Sequence, residues 1–267
     1  MGSSPTAPTS TRDRLAIIGR QVAATARDPR RVLRLVQPRY LRSLLFQLRP
    51  PEVGAWSPGA GGVMQRRYPS YEAYVRHQRS KLGLLEFSTY ETEFREALGR
   101  RLAALPLPWA TSSVLCLGAR TGTEVRAFHD VGAFAVGVDL NPGRDNRYVL
   151  PGDFHHLQFP DASVDCVYSN SIDHAFDLGA LITEMARVLR ADGHAVIEVA
   201  NPETELRADA GKWESSMWSS VDVVVDAFRE RGFVVEHRAE IDFPPMFSEG
   251  GMWVFRAPGR DEATPGT

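Results

Sequence analysis

The chain has little cysteine, little lysine and no long apolar run. Cys116 and Cys166 are its only cysteines, and both sit inside apolar stretches. That excludes a disulfide framework and fits a reducing, cytoplasmic setting, with each thiol a small buried hydrophobe. No segment approaches the roughly 18 apolar residues of a membrane span. The opening MGSSPTAPTSTRDR has no apolar core and reads as a polar tail, not a secretory signal.

Lysine occurs only at 81 and 212, so 29 of the 31 basic residues are arginine, a bias that mainly reports coding composition. The charge is also unevenly placed. Residues 1–101 hold 18 basic and 8 acidic side chains, whereas 102–267 hold 13 and 25, so +10 and −12 give the net −2. A basic arm suits nucleic acid, an anionic surface, or an acidic partner face within the same protein.

Periodicity divides the 267 residues into a tail (1–11), a helical arm, lid or dimerisation region (12–105), a catalytic-type domain (106–258) and a second tail (259–267). Helices are expected over 12–28, 30–48 (interrupted at Pro38), 70–82 and 88–105, with 49–62 as a Pro/Gly linker. The pattern then alternates. Short apolar runs at 112–119, 133–140, within 147–159, at 163–172 and at 194–201 read as strands. Amphipathic stretches at 123–132, 178–193 (closed by Gly193) and 219–232 read as helices. Segments 233–241 and 251–257 form a closing strand pair. Alternation of this kind implies an α/β fold with a doubly wound, mostly parallel seven-stranded sheet.

In such sheets ligands bind beyond the C-terminal strand ends, where the strand order reverses. The first strand of the alternating region runs into Gly118-Ala119-Arg120-Thr121-Gly122, a turn that lets a ligand approach backbone at the next helix's N-terminus. The second strand ends at Asp139-Leu140, 21 residues after Gly118, where a carboxylate can hold both hydroxyls of a ribose. The full glycine fingerprint preferred by dinucleotides is absent.

VLCLGARTGTE, GVDLNP, PGDFHHLQFPDASVDCVYSNSIDH and EMARVLRADGHAVIEV, taken in order, resemble the class I S-adenosylmethionine-dependent methyltransferases. The resemblance is nearest to the small-molecule, type 11-like group and extends more weakly to actinobacterial sugar O-methyltransferases. It covers about residues 112–256. It implies S-adenosyl-L-methionine as cofactor, held by Gly118, Ala119, Arg120, Thr121 and Gly122, by Asp139 and Leu140 at the ribose, by Asp153 and Phe154 at the adenine, and by Asn170 and Ser171. Two positions depart from the family. Cys116 replaces its usual acid, and Arg120 replaces its middle glycine, either reaching the cofactor's carboxylate or pointing outward.

Methyl transfer needs an oriented nucleophile and, for a hydroxyl, a base. His174 is the expected base, because imidazole titrates near neutrality, with Asp173 or Asp177 orienting it. Asp173, His174 and Asp177 could instead hold Mg²⁺, with Glu198, Glu203 and Glu205 near by. Trp213, Met217, Trp218 and His155 are the candidate substrate walls. The expected function is O-methylation of a small molecule, such as a sugar or polysaccharide precursor (a mannoside among them) or a secondary metabolite. The N-terminal helices could build a homodimer. The rivals are an RNA-modifying enzyme using the basic arm and a domain that keeps the fold without the activity.

Overall fold

A computed structural model describes residues 55–81, 88–200, 213–241 and 250–259. The expected helices over 12–28 and 30–48, and residues Glu203 and Glu205, lie outside them. The chain divides into two compact units. One takes residues 1–55 and 67–87, and the other takes 56–66 and 88–267.

In the first unit the described residues form helix α1, Tyr71–Arg79. Ser70 caps it by accepting the Ala73 N–H at 3.3 Å. Tyr68 reaches His77 Nδ1 through its hydroxyl at 3.0 Å and meets the Tyr74 ring edge-on.

The second unit begins with strands β1 (Trp56–Pro58) and β2 (Val63–Arg66). Helix α2 (Ser88–Ala104) follows, and then β3 (Ser113–Leu117), α3 (Thr123–Asp130), β4 (Phe134–Asp139) and β5 (Val149–Pro151). After β6 (Val164–Ser169) come α4 (Leu178–Val188), β7 (Leu189–Ala200), β8 (Ser216–Trp218), α5 (Val221–Arg229), β9 (Val234–Ile241) and β10 (Gly250–Arg256). Seven of these strands form one sheet in the order β5-β4-β3-β6-β7-β10-β9. All neighbours are parallel except β10, which runs antiparallel to both β7 and β9. This is the doubly wound, seven-stranded sheet expected from the alternation.

Strands in such a sheet are covered on both faces, which is why they read as continuous apolar runs. One face carries Leu181, Ile182 and Met185 of α4 with Val224 and Phe228 of α5. The other carries Phe94, Leu98 and Leu102 of α2 with Val125 and Phe128 of α3. Helix α2 therefore packs in the same unit as the sheet. Phe228 stacks on Phe255 with ring centres 4.3 Å apart, and Phe128 meets Trp109 and Tyr168 edge-on.

Two local readings change. Helix α4 ends at Val188, five residues before Gly193. Its last carbonyls are taken by main chain: Ala162 N–H donates to Arg187 and Ser163 N–H to Val188. Leu189 is already paired with Val164, and Asp192, not Gly193, takes the left-handed conformation (φ 60°). The 49–62 linker also holds structure. β1 and β2 form an antiparallel hairpin that β8 extends into a second, three-stranded sheet.

The stacked Phe228 is fully buried, so Phe228→Ala should lower unfolding stability by about 3–5 kcal/mol. Urea denaturation followed by circular dichroism measures it, and a loss below about 1 kcal/mol would contradict this packing.

Candidate functional site

The order of the large sheet reverses between β3 and β6. The chain goes from β3 outward to β4 and β5, then returns to the other side of β3. A crevice is expected beyond these C-terminal strand ends. Gly118 follows β3 with φ 69°, and a β-carbon there would stand 2.8 Å from Ser171 Cβ and 3.8 Å from the Phe154 ring. The two rims therefore meet at a glycine because nothing larger fits. Ser169 Oγ donates to the Leu117 carbonyl and accepts the Ser171 N–H, tying the ends of β3 and β6 together.

The turn continues through Ala119, whose carbonyl accepts the Gly122 N–H at 2.7 Å. Gly122 (φ 88°) caps α3. Arg120 has φ 44°, a left-handed conformation that costs an ordinary residue roughly 1–2 kcal/mol. Its N–H is held by Asp139 Oδ2 at 2.9 Å, while Asn141 N–H donates to Oδ1 at 2.7 Å. An ionised carboxylate accepts about four hydrogen bonds, so these two leave capacity for ligand hydroxyls. Thr121 Oγ1 donates to Glu91 Oε1 of α2 at 2.7 Å. Leu140 is half-buried beside Asp139.

Gly152 N–H donates to the Asp139 carbonyl, which brings the Asp153–Phe154 segment beside the end of β4. Asp153, Phe154, Asn170 and Ser171 are thus gathered around the glycine turn with Asp139. Ser171 Oγ donates to Asn170 Oδ1 at 3.0 Å.

The expected substrate walls divide. His155 is 4% exposed. Its Nδ1 donates to Asp153 Oδ1 at 2.8 Å, and its Nε2 accepts the Phe176 and Asp177 N–H groups. Both ring nitrogens are thus engaged within the fold. Trp218, 4% exposed, belongs to the core under α4 and α5. Trp213 is buried and Met217 is half-buried.

His174 sits on the turn Ile172–His174 after β6. Its Nδ1 lies 3.1 Å from the Trp213 carbonyl. A carbonyl only accepts, so Nδ1 carries a proton. The Trp213 carbonyl thus helps orient the ring. Asp173 Oδ2 stands 3.8 Å from Nε2. Asp177 caps α4 by accepting the Ala180 N–H at 3.0 Å. These three residues do not converge as a magnesium site, and no group of three His, Cys, Asp or Glu suited to a metal occurs among the described residues. Glu198 is buried against Arg101, 2.7 Å away. Burial raises the Glu198 carboxyl above the usual range, and Arg101 opposes that.

Sequence reading assigned no role to Glu124, on the first turn of α3. It is 2% exposed and meets Asn170 Nδ2 at 3.4 Å. Burial raises its carboxyl above the ordinary range, with Arg120 partly opposing. Cys116, where the resembling family has an acid, is fully buried, and its thiol is pushed well up by burial and then by Glu124. The carboxyl near the turn comes from the helix, not from the strand.

Residues 115–197 match the family model described as a methyltransferase domain. No curated relative matches the chain. Solved structures share its fold. A Burkholderia thailandensis 1,6-didemethyltoxoflavin-N1-methyltransferase, bound to 1,6-didemethyltoxoflavin and S-adenosylhomocysteine, is 16% identical with a TM-score of 0.58, over 77% of this chain and 100% of that one. A chain from the complex of the Haloferax volcanii Trm112 methyltransferase activator with a methyltransferase is 23% identical with a TM-score of 0.53, over 66% and 97%. A Thermotoga maritima methyltransferase is 15% identical with a TM-score of 0.51, over 64% and 92%.

Ionising Glu124 costs more in the folded protein than in the unfolded chain. Its contribution therefore favours folding at acid pH and is lost as pH rises through the folded value. Glu124→Gln should be more stable than the parent at pH 7, and the gap should close below about pH 4.5, the usual value. Urea titrations at pH 7 and pH 4 test this, and a variant less stable at pH 7 would contradict it.

Proposed function

We propose that this chain, which carries a methyltransferase domain on the class I S-adenosylmethionine-dependent fold, methylates a hydroxyl of a small molecule. Sugar or polysaccharide precursors, mannosides among them, and secondary metabolites are the acceptor classes to test. The observation that carries this reading is the orientation of His174, whose Nδ1 is committed to the Trp213 carbonyl. In this reading Nε2 is the nitrogen that acts as base, on the loop that also bears Ser171.

The residues around the glycine turn fit the cofactor. Gly118 and Gly122 supply backbone approach, Asp139 the ribose contacts, Asp153 the adenine amine and Phe154 the ring face. The bound cofactor supplies an already activated methyl group. The protein's task is to align the acceptor oxygen for in-line displacement and to remove its proton. In this reading His174 Nε2 would take the hydroxyl proton as the acceptor oxygen gains the methyl group and the methyl–sulfur bond breaks to release S-adenosylhomocysteine, and the Asp173 carboxylate, 3.8 Å from Nε2, would stabilise the resulting imidazolium. No step is routed through magnesium; among the described residues Asp177 caps α4 and no three His, Cys, Asp or Glu side chains are grouped for a metal.

The surroundings suit small-molecule chemistry in a reducing, cytoplasmic compartment. Both cysteines are buried free thiols. Among the described residues no helix is long and apolar enough to cross a membrane. Of the N-terminal helices that would build a homodimer or an RNA-binding arm, those over 12–28 and 30–48 lie outside the described residues, and those over 70–82 and 88–105 are α1 and α2.

A radiolabelled methyl-transfer screen over hydroxylated metabolites tests the reading. His174→Ala should lower turnover about 10²–10⁴-fold while S-adenosylmethionine affinity stays within about threefold. A chelator should leave turnover unchanged. Label transfer to amines alone, or full activity without His174, would overturn the assignment. Asp139→Ala should weaken cofactor binding at least tenfold by calorimetry, and an unchanged affinity would displace the ribose site.

A further inference from the structure

His155 joins two loops that sequence alone leaves separate. On one side its ring Nδ1 donates to Asp153 Oδ1 at 2.8 Å, and the same oxygen accepts the His155 N–H at 2.9 Å. On the other side Nε2 lies 3.1 and 3.2 Å from the amide nitrogens of Phe176 and Asp177. Both of those groups can only donate, so Nε2 carries the lone pair and the ring is the Nδ1–H tautomer. The ring is buried and lies 4.8 Å from the Phe154 ring centre. The loop it grips, 172–177, contains His174 and is also held by residues 215 and 216. Ser215 N–H donates to the Asp173 carbonyl, and Ser216 Oγ donates to the Ala175 carbonyl.

We propose that His155 is a positioning residue that transmits occupancy of the Asp153–Phe154 face to the loop bearing His174. This inference rests on the cofactor placement given under Proposed function. A ligand that fixes Asp153 and Phe154 fixes the ring, and the ring fixes two amides at the entrance to α4. A bound cofactor therefore reinforces the loop geometry that holds the base.

The side chain separates into two isosteric halves. His155→Asn keeps a donor near Nδ1 and loses the acceptor at Nε2. His155→Gln keeps an acceptor near Nε2 and loses the donor to Asp153. The probe is S-adenosylhomocysteine, which requires no knowledge of the acceptor. Calorimetry reads its affinity, and amide hydrogen exchange reads residues 172–178.

In the parent, the ligand should slow exchange at Phe176 and Asp177 at least tenfold. His155→Asn should bind the ligand within about threefold of the parent yet lose that slowing. His155→Gln should bind about tenfold more weakly. Both variants should keep the parent's circular dichroism spectrum. The inference is overturned if His155→Asn transmits the slowing as the parent does, or if both variants weaken binding equally. If the parent binds no S-adenosylhomocysteine, the cofactor placement and this inference both fall. Binding without the split removes only the inference.

Discussion

Strands β3 and β6 end side by side, and their following loops can touch only because Gly118 has no β-carbon. An added one would meet Ser171 Cβ at 2.8 Å. That approach sets the path of the turn to Gly122. Its cost is paid in conformation, since Gly118, Arg120 and Gly122 all adopt positive φ. Asp139 offsets part of it by holding the Arg120 N–H. The carboxylate that would meet a ribose thus also shapes the loop that would meet the rest of the cofactor.

The buried charges of the sheet unit follow the same economy of position. Glu124 and Glu198 are each enclosed beside the C-terminal strand edge, one linked to Asn170 and the other paired with Arg101. Burying a carboxylate is unfavourable unless a partner compensates, and burial raises both above the usual range. Arg101 also lies over the Phe94 ring. The last basic residue of the N-terminal +10 segment therefore works as a packing element between α2 and the sheet. For this arginine, pairing within the protein accounts for the charge without a nucleic acid.

The parts of the fold that were legible in the sequence are those written in local pattern. Continuous apolar runs such as 112–119 mark doubly covered strands, and Gly118, Gly122 and Asp139 mark the turn and the next strand's end at a spacing the fold enforces. The α4 terminus was not legible, because Ala162 and Ser163 cap it from another segment and the glycine signal at 193 is spent elsewhere. The β1-β2-β8 sheet was hidden for a related reason. Its strands are three or four residues long, and Met64 pairs with Met217 across most of the chain. Residue identity also fails where the chemistry is main chain: the Trp213 carbonyl that orients His174 could belong to any residue. Nothing in the sequence marks the link from His155 to the distant amides of 176 and 177.

The crevice at Gly118 can be tested directly by calorimetric titration of S-adenosylhomocysteine into the parent and Gly118→Ala, with thermal denaturation showing that the variant is folded. One equivalent bound per parent chain, with affinity at least tenfold lower in the variant, is the expected outcome. An absence of binding by the parent, or equal affinity in a folded variant, would show that this crevice is not the cofactor site.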